Sequence, residues 1–268
     1  MKRGPNKIAL LIALLFAFSS YDALAQRLAR QGGDRSDLPE REQFHETYRL
    51  AAGARVEVLN INGPLEIQTI EGDTAVVTVV RSARTREDLE YRKIIVEQKG
   101  NTFRVYSQEP EDPQARNATV RHRAVIRVPR PSALLVKNVN GSARIGDIDG
   151  PITLANINGE LSMGRASDFA EFANINGNMA FTLGRLGQRG IRARNINGNM
   201  NIRFIDRLNA DMEVRSFNGL VNPKVSSVTV RKAGRSSFLA QFGSGGAPIS
   251  MTQVNGVITI HDASFGDK

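Results

Sequence analysis

Two aspartates, three histidines and two groups of arginines are the residues of this 268-residue chain whose types and spacing could do chemistry. Asp147 and Asp149 stand two apart in Asp147-Ile148-Asp149-Gly150. On one strand face such a pair could hold Ca2+, or act with an arginine on an acidic sugar. The same spacing also suits a turn in which Asp replaces Asn. His45, His122 and His261 lie in separate segments and the chain has no cysteine, so no metal-ligand spacing is present. Neither a Gly-x-Ser-x-Gly elbow nor a glycine-rich phosphate loop occurs. The expectation is a protein without catalytic residues, metal or cofactor. Arg121, Arg123 and Arg127 alternate onto one side of a strand, and Arg185, Arg189, Arg192 and Arg194 form a second cluster. Guanidinium groups present planar forks that fit carboxylates and phosphates. Their plain alternative role is to keep the surface soluble and blunt strand edges.

The elements that must carry these residues are set by a repeat. Asn-Ile-Asn-Gly occurs at 60–63, 156–159, 174–177 and 195–198, with variants at 138–141, 216–219 and 253–256. Recurrence of this kind marks stacked supersecondary units. Two residues before each glycine sits an apolar side chain: Ile61, Val139, Ile157, Ile175, Ile196, Phe217 or Val254. Two and four residues after it come pairs such as Leu65 and Ile67, Leu161 and Met163, or Met200 and Ile202. Side chains two apart on a strand share a face, so these positions form one inward stripe. Glu66, Arg144, Ser162 and Thr259 then point outward. Asn-Gly favours a turn because both residues tolerate positive φ, which assigns structural turns to Asn62-Gly63, Asn140-Gly141, Asn158-Gly159, Asn176-Gly177, Asn197-Gly198, Asn218-Gly219 and Asn255-Gly256.

From Gly141 through Gly159, Gly177 and Gly198 to Gly219 the spacings are 18, 18, 21 and 21 residues. This is too long for a meander of two-residue turns. It fits an all-β, single-chain β-solenoid in which short strands return over their predecessors ~4.8 Å apart, with the turn asparagines stacked into ladders. Val221 followed by Pro223 marks a bulge or an edge.

Other segments depart from this regularity. Residues 1–25 read as a signal peptide: Lys2, Arg3 and Lys7 precede an apolar run at 8–18, and Ala23-Leu24-Ala25 supplies small residues for cleavage. Residues 26–43 read as a flexible linker and 44–135 as an irregular β front portion that begins the solenoid, leaving 136–268 as its repetitive part. In the front portion, strands are expected at 74–81, 93–98, 102–107 and 120–128. Between 26 and 112 there are 13 basic and 16 acidic residues, whereas 113–268 holds 20 and 10. Three stretches, 113–146, 178–205 and 214–261, contain no acid at all. Such runs sustain a positive field that attracts polyanions.

With the tandem Asn-x-Asn-Gly units, the run at 125–131 leading into the second unit, and the closing segment at 245–260, residues 44–262 resemble the "putative adhesin" β-solenoid domains of bacterial exported proteins, relatives of the head-GIN domain. The resemblance implies an all-β coil in an envelope setting and carries no catalytic residue across. Together these readings predict a non-enzymatic, exported protein, periplasmic, cell-surface or secreted. Its rigid basic surface would bind anionic envelope glycans or lipids, or a protein partner. A regulatory or envelope-stress component acting through protein binding is one alternative, and a polysaccharide-active enzyme using Asp147 and Asp149 is another. Export and the lack of aromatic interleaving argue against nucleic acid.

Overall fold

The computed structural model describes residues 38–110, 115, 118–184, 186–205 and 209–262. The expected leader, the expected linker up to residue 37 and Arg185 lie outside them. The chain order is β1 (Glu40–Arg49), β2 (Arg55–Asn62), β3 (Leu65–Ile70), β4 (Thr74–Ala83), α1 (Arg86–Tyr91), β5 (Ile94–Lys99), β6 (Thr102–Ser107), β7 (Val120–Pro129), β8 (Ala133–Asn140), β9 (Ala143–Ile145) and β10 (Ile152–Asn158). It continues with β11 (Leu161–Ala166), β12 (Ala170–Asn176), β13 (Met179–Leu183), β14 (Ile191–Asn197), β15 (Met200–Phe204), β16 (Ala210–Arg215), β17 (Val221–Lys224), β18 (Val228–Ala233), β19 (Ser237–Phe242), β20 (Ala247–Asn255) and β21 (Ile258–Asp262).

The strands form two large sheets, mostly parallel. The first runs β1-β4-β7-β3-β9-β11-β13-β15-β21-β17, and the second runs β18-β19-β16-β20-β14-β12-β10-β8-β2-β6-β5. Each Asn-x-Asn-Gly unit is the corner at which the chain leaves the second sheet and enters the first, as from β2 to β3 or from β12 to β13.

The corner geometry follows from the residue types. In β2, Val56 and Val58 are buried, and simple alternation would send Asn60 inward next. Asn60 instead adopts φ 58°, and the kink turns Ile61 into the core. Asn138, Asn156, Asn174 and Asn195 repeat the left-handed conformation, with Ser216 and Gln253 in the variant units. Asparagine enters this region at lower cost than most L-residues. The expected positive φ on the Asn of each Asn-Gly pair is therefore corrected: it falls on the first asparagine and on the glycine. The second asparagine stays in register with its counterparts, Asn62 with Asn140, Asn158 with Asn176, and Asn197 with Asn255. Glycine is required because units approach closely. A Cβ on Gly177, at φ 153°, would lie 2.1 Å from the Gly159 carbonyl oxygen.

Stacking satisfies the corner amides. The first asparagines bond from Asn195 through Asn174, Asn156 and Asn138 to Asn60, each Nδ2 donating to the next Oδ1 at 2.8 Å. The second asparagines form a parallel ladder from Asn197 through Asn176, Asn158 and Asn140 to Asn62 at 3.0–3.1 Å. Inside, Ile61, Val139, Ile157, Ile175, Ile196 and Val254 are each 1% exposed. They pack with Leu65, Leu161, Met179, Phe181, Met200, Ile202 and Ile258 in one continuous core. Phe172 and Phe181 meet across the sheets with ring centroids 4.9 Å apart.

Spatial order departs from chain order at both ends. The pair β2/β3, carrying the first repeat, lies between β6/β7 and β8/β9, and the last pair β20/β21 lies between β14/β15 and β16/β17. The expectation that each unit returns over its predecessor is corrected here. Antiparallel β1, β4, β5, β18 and β19 take three of the four sheet ends, where an open regular edge would invite pairing with another chain, and the fourth end is the short parallel strand β17.

Other differences are local. The strand β1 starts at Glu40, inside the stretch expected to be linker, because residues 40–49 pair along the whole of β4. The short helix α1 interrupts the strands between β4 and β5. Thr85 caps it by accepting from the Asp88 amide, and Leu89 packs with Ala83 and Val120. The expected boundary at 135/136 falls within β8. No helix among the described residues is long and apolar enough to cross a membrane.

Candidate functional site

The two arginine groups do not share a surface. On β7, Val120, His122, Ala124, Ile126 and Val128 are buried, so Arg121, Arg123 and Arg127 face outward from the first sheet. Arg127 Nε donates to Gln68 Oε1 at 2.9 Å. Arg192 and Arg194 face outward from β14, in the second sheet. Arg194 lies 3.2 Å from Glu171, and the Arg189 guanidinium stacks 3.9 Å from the Phe169 ring centroid, with Arg192 at 6.0 Å. The second sheet's outer face mixes signs. Glu57 there is nearly buried between Arg55 and Arg104. Its burial alone would push the carboxyl up, but hydrogen bonds and charge from Arg104 and Arg55 together hold it below the ordinary value.

The acidic pair is already occupied. Asp147 and Asp149 lie in the connection after β9, not on a strand face. Asp147 Oδ1 accepts from the Arg165 backbone amide at 2.8 Å, and its Oδ2 lies 3.6 Å from Arg130. Asp149 accepts from Arg130 Nε at 2.9 Å and from the Ser167 hydroxyl at 3.1 Å. These bonds tie one connection to the next. The histidines stay apart as well: His45 pairs with Thr78, His122 is buried, and His261 lies on β21.

A different group converges on the outer face of the first sheet. Ser162, Ala180, Asn201 and Thr259 are in register across β11, β13, β15 and β21. Because these side chains are short, they floor a shallow trough. One depression of about 340 Å3 is bounded by Thr182, Arg203 and His261, and an adjoining one of about 310 Å3 by Glu160, Asn178 and Asn199. Ala180 and Asn201 line both. Beside the floor runs the row Arg165, Thr182, Arg203, His261 and Lys224. Arg165, Arg203 and Lys224 thus recur on every second strand, about 10 Å apart at the usual strand spacing. The turn-side wall is rigid, since Asn178 Oδ1 accepts from the Asn199 amide and Asn199 Oδ1 from the Val257 amide.

Sequence reasoning missed this row because each cation sits alone in its own unit. A signal was present: Arg203, Lys224 and His261 each stand five residues after the repeat glycine. Arg165 is displaced to the sixth by the irregularity in β11 between Met163 and Arg165.

No family profile matches the chain, and no curated relative does. Among solved structures, the chain is similar to a "putative cell adhesion protein" from Clostridium sporogenes ATCC 15579, at 15% identity over 82% of this chain and 100% of that one, with a TM-score of 0.38. It is also similar to a "putative adhesin" from Bacteroides fragilis NCTC 9343, at 11% identity over 84% and 98% of the two chains, with a TM-score of 0.29. A third similarity is to a "putative adhesin" from Parabacteroides merdae ATCC 43184, at 8% identity over 83% and 96%, with a TM-score of 0.27.

Proposed function

We propose that this protein is an exported, non-enzymatic β-solenoid that binds an extended acidic polymer of the cell envelope, adhesin-like, along the outer trough of its first sheet. In-register parallel pairing from β2 through β8, β10, β12, β14 and β20, with two asparagine ladders along the corner, supports the solenoid reading. Export rests on the leader-like residues 1–25. The observation that carries the ligand class is the placement of Arg203 and Lys224 on alternate strands beside a floor of short side chains, with Arg165, whose guanidinium also lies 4.0 Å from Asp147, continuing the row. A polymer bearing one carboxylate per disaccharide repeats its charge at about the same ~10 Å interval, twice the strand spacing. The trough is open, so contacts are water-exposed and individually weak. Affinity therefore comes from several cations engaged at once on a rigid support.

The test is binding of the purified protein to a uronate-containing polysaccharide and to a neutral one, at low and high salt. The expected result is salt-sensitive binding to the acidic polymer alone, weakened about tenfold when Arg203 and Lys224 are both replaced by alanine. Replacing Arg192 and Arg194 on the other sheet should leave it unchanged. Binding lost with Arg192 and Arg194 instead would move the site to the second sheet, and no binding at any salt would redirect the search to a protein partner.

A further inference from the structure

The seven Asn-Gly pairs of the chain are chemically alike but not structurally equivalent. In an Asn-Gly pair the glycine amide nitrogen can attack the asparagine side-chain carbonyl, because glycine offers no Cβ to obstruct the approach. In five of the seven pairs the stacking withdraws that nucleophile. The amides of Gly141, Gly159, Gly177, Gly198 and Gly256 donate to the backbone carbonyls of Asn158, Asn176, Asn197, Asn255 and Asn218, each in the next unit, at 2.9–3.0 Å. Gly219 belongs to the last unit of the stack, carried by the edge strand β17. Among the described residues neither its amide nor that of Gly63 has a backbone acceptor, so these two pairs are told apart by their side chains.

The side chains set Asn218 apart from the other six. Asn140, Asn158, Asn176, Asn197 and Asn255 each donate to one ladder neighbour and accept from another. Asn62, at the opposite end, is half-buried, accepts from Asn140 and donates to the Val120 carbonyl at 2.8 Å. Asn218 makes a single ladder contact, to Asn255 Oδ1, and at 3.4 Å it is the longest of the series. Both Asn218 and Gly219 are exposed.

We infer that Asn218-Gly219 is a site of spontaneous covalent modification, at which the chain deamidates and isomerises while its other Asn-Gly pairs are protected by the stack. The Gly219 amide nitrogen gives up its proton and bonds to Asn218 Cγ. The Cγ–Nδ2 bond breaks and ammonia leaves, closing a five-membered succinimide. Water then opens the ring at either carbonyl, giving aspartate or isoaspartate. No electron is gained or lost, and base accelerates the first step by deprotonating the nitrogen. Isoaspartate would add a backbone carbon between β16 and β17. The strand β17 pairs on one side only, with β21, and carries Lys224, so the modification acts where register is held least firmly.

The experiment is to hold the full chain at mildly alkaline pH, folded and in parallel unfolded in urea, and to follow each Asn-Gly peptide by mass spectrometry with separation of the isoaspartyl product. In the folded chain Asn218 is expected to convert faster than the other six by at least about tenfold, the factor set by one further hydrogen bond that must open first. In urea all seven should convert at comparable rates. A folded chain in which another pair leads, in which all convert alike, or in which none converts while the unfolded chain does, overturns the inference.

Discussion

The buried histidine of β7 makes the fold acid-labile in a defined window. His122 is 3% exposed and faces Arg81 across the β4–β7 pair. Its Nδ1 accepts from the Asn62 amide at 3.0 Å, which places the proton of the neutral ring on Nε2, itself buried without a partner. Burial, and after it the charges of Arg81 and Arg92, lower its pKa from 6.5 to about 4. Glu42 pairs with Arg81 but leaves this balance in place. The unfolded chain takes up the proton near its ordinary value and the folded chain does not until about 4, so U binds more protons in between. Stability is therefore full above the unfolded value and falls as pH drops toward the folded one. The loss between about pH 7.5 and pH 4.5 is about 2.5 kcal/mol. His122→Asn keeps an acceptor near Nδ1 and removes the titration, at a pH-independent cavity cost of about 2 kcal/mol. Urea unfolding of both proteins across this range is the assay. The wild-type advantage at neutral pH should vanish by about pH 4.5. Parallel stability curves would refute the reasoning, because the buried neutral histidine would then contribute nothing to the acid response.

Replacing Ile175 or Ile196 with Asp puts a carboxylate at a position 1% exposed and should cost on the order of 5 kcal/mol, enough to unfold or aggregate the chain in circular dichroism and size-exclusion measurements. A well-folded variant would contradict the inward stripe. Asn176→Ala removes two exposed ladder bonds and should lower unfolding free energy by about 1–2 kcal/mol. Asn174→Ala should cost about 1 kcal/mol more, because alanine must also hold φ near 55°, and Asn174→Gly should recover that increment in the same thermal melts. Gly177→Ala should abolish cooperative unfolding, since its Cβ would overlap the Gly159 carbonyl; an ordinary melt would mean the stack can separate locally.

The parts of the fold that depend on local periodicity are readable from the chain. Ile61, Ile157, Ile175 and Ile196 are buried as their spacing from the glycine requires, and Pro223 lies on the edge strand β17, where a missing amide donor costs least. The order of units in space is not readable this way. The segments β20 and β16 have the same inward pattern, and nothing local decides which of them pairs with β14. That choice is made by the whole assembly, which leaves β18 and β19 to cover β16. The candidate site shows the same division. Arg121, Arg123 and Arg127 were visible as a row along one strand, the direction in which sequence is written. Arg165, Arg203 and Lys224 form a row across strands, which exists only once units are in register. Neighbours in a row across strands are one or more units apart in sequence, as Thr182 and Arg203 or Arg203 and His261 are. The position five after the repeat glycine places Thr182, Arg203, Lys224 and His261 in that row. Arginines along a single strand also meet that strand's immediate neighbours, as Arg127 does with Gln68 and Arg194 with Glu171.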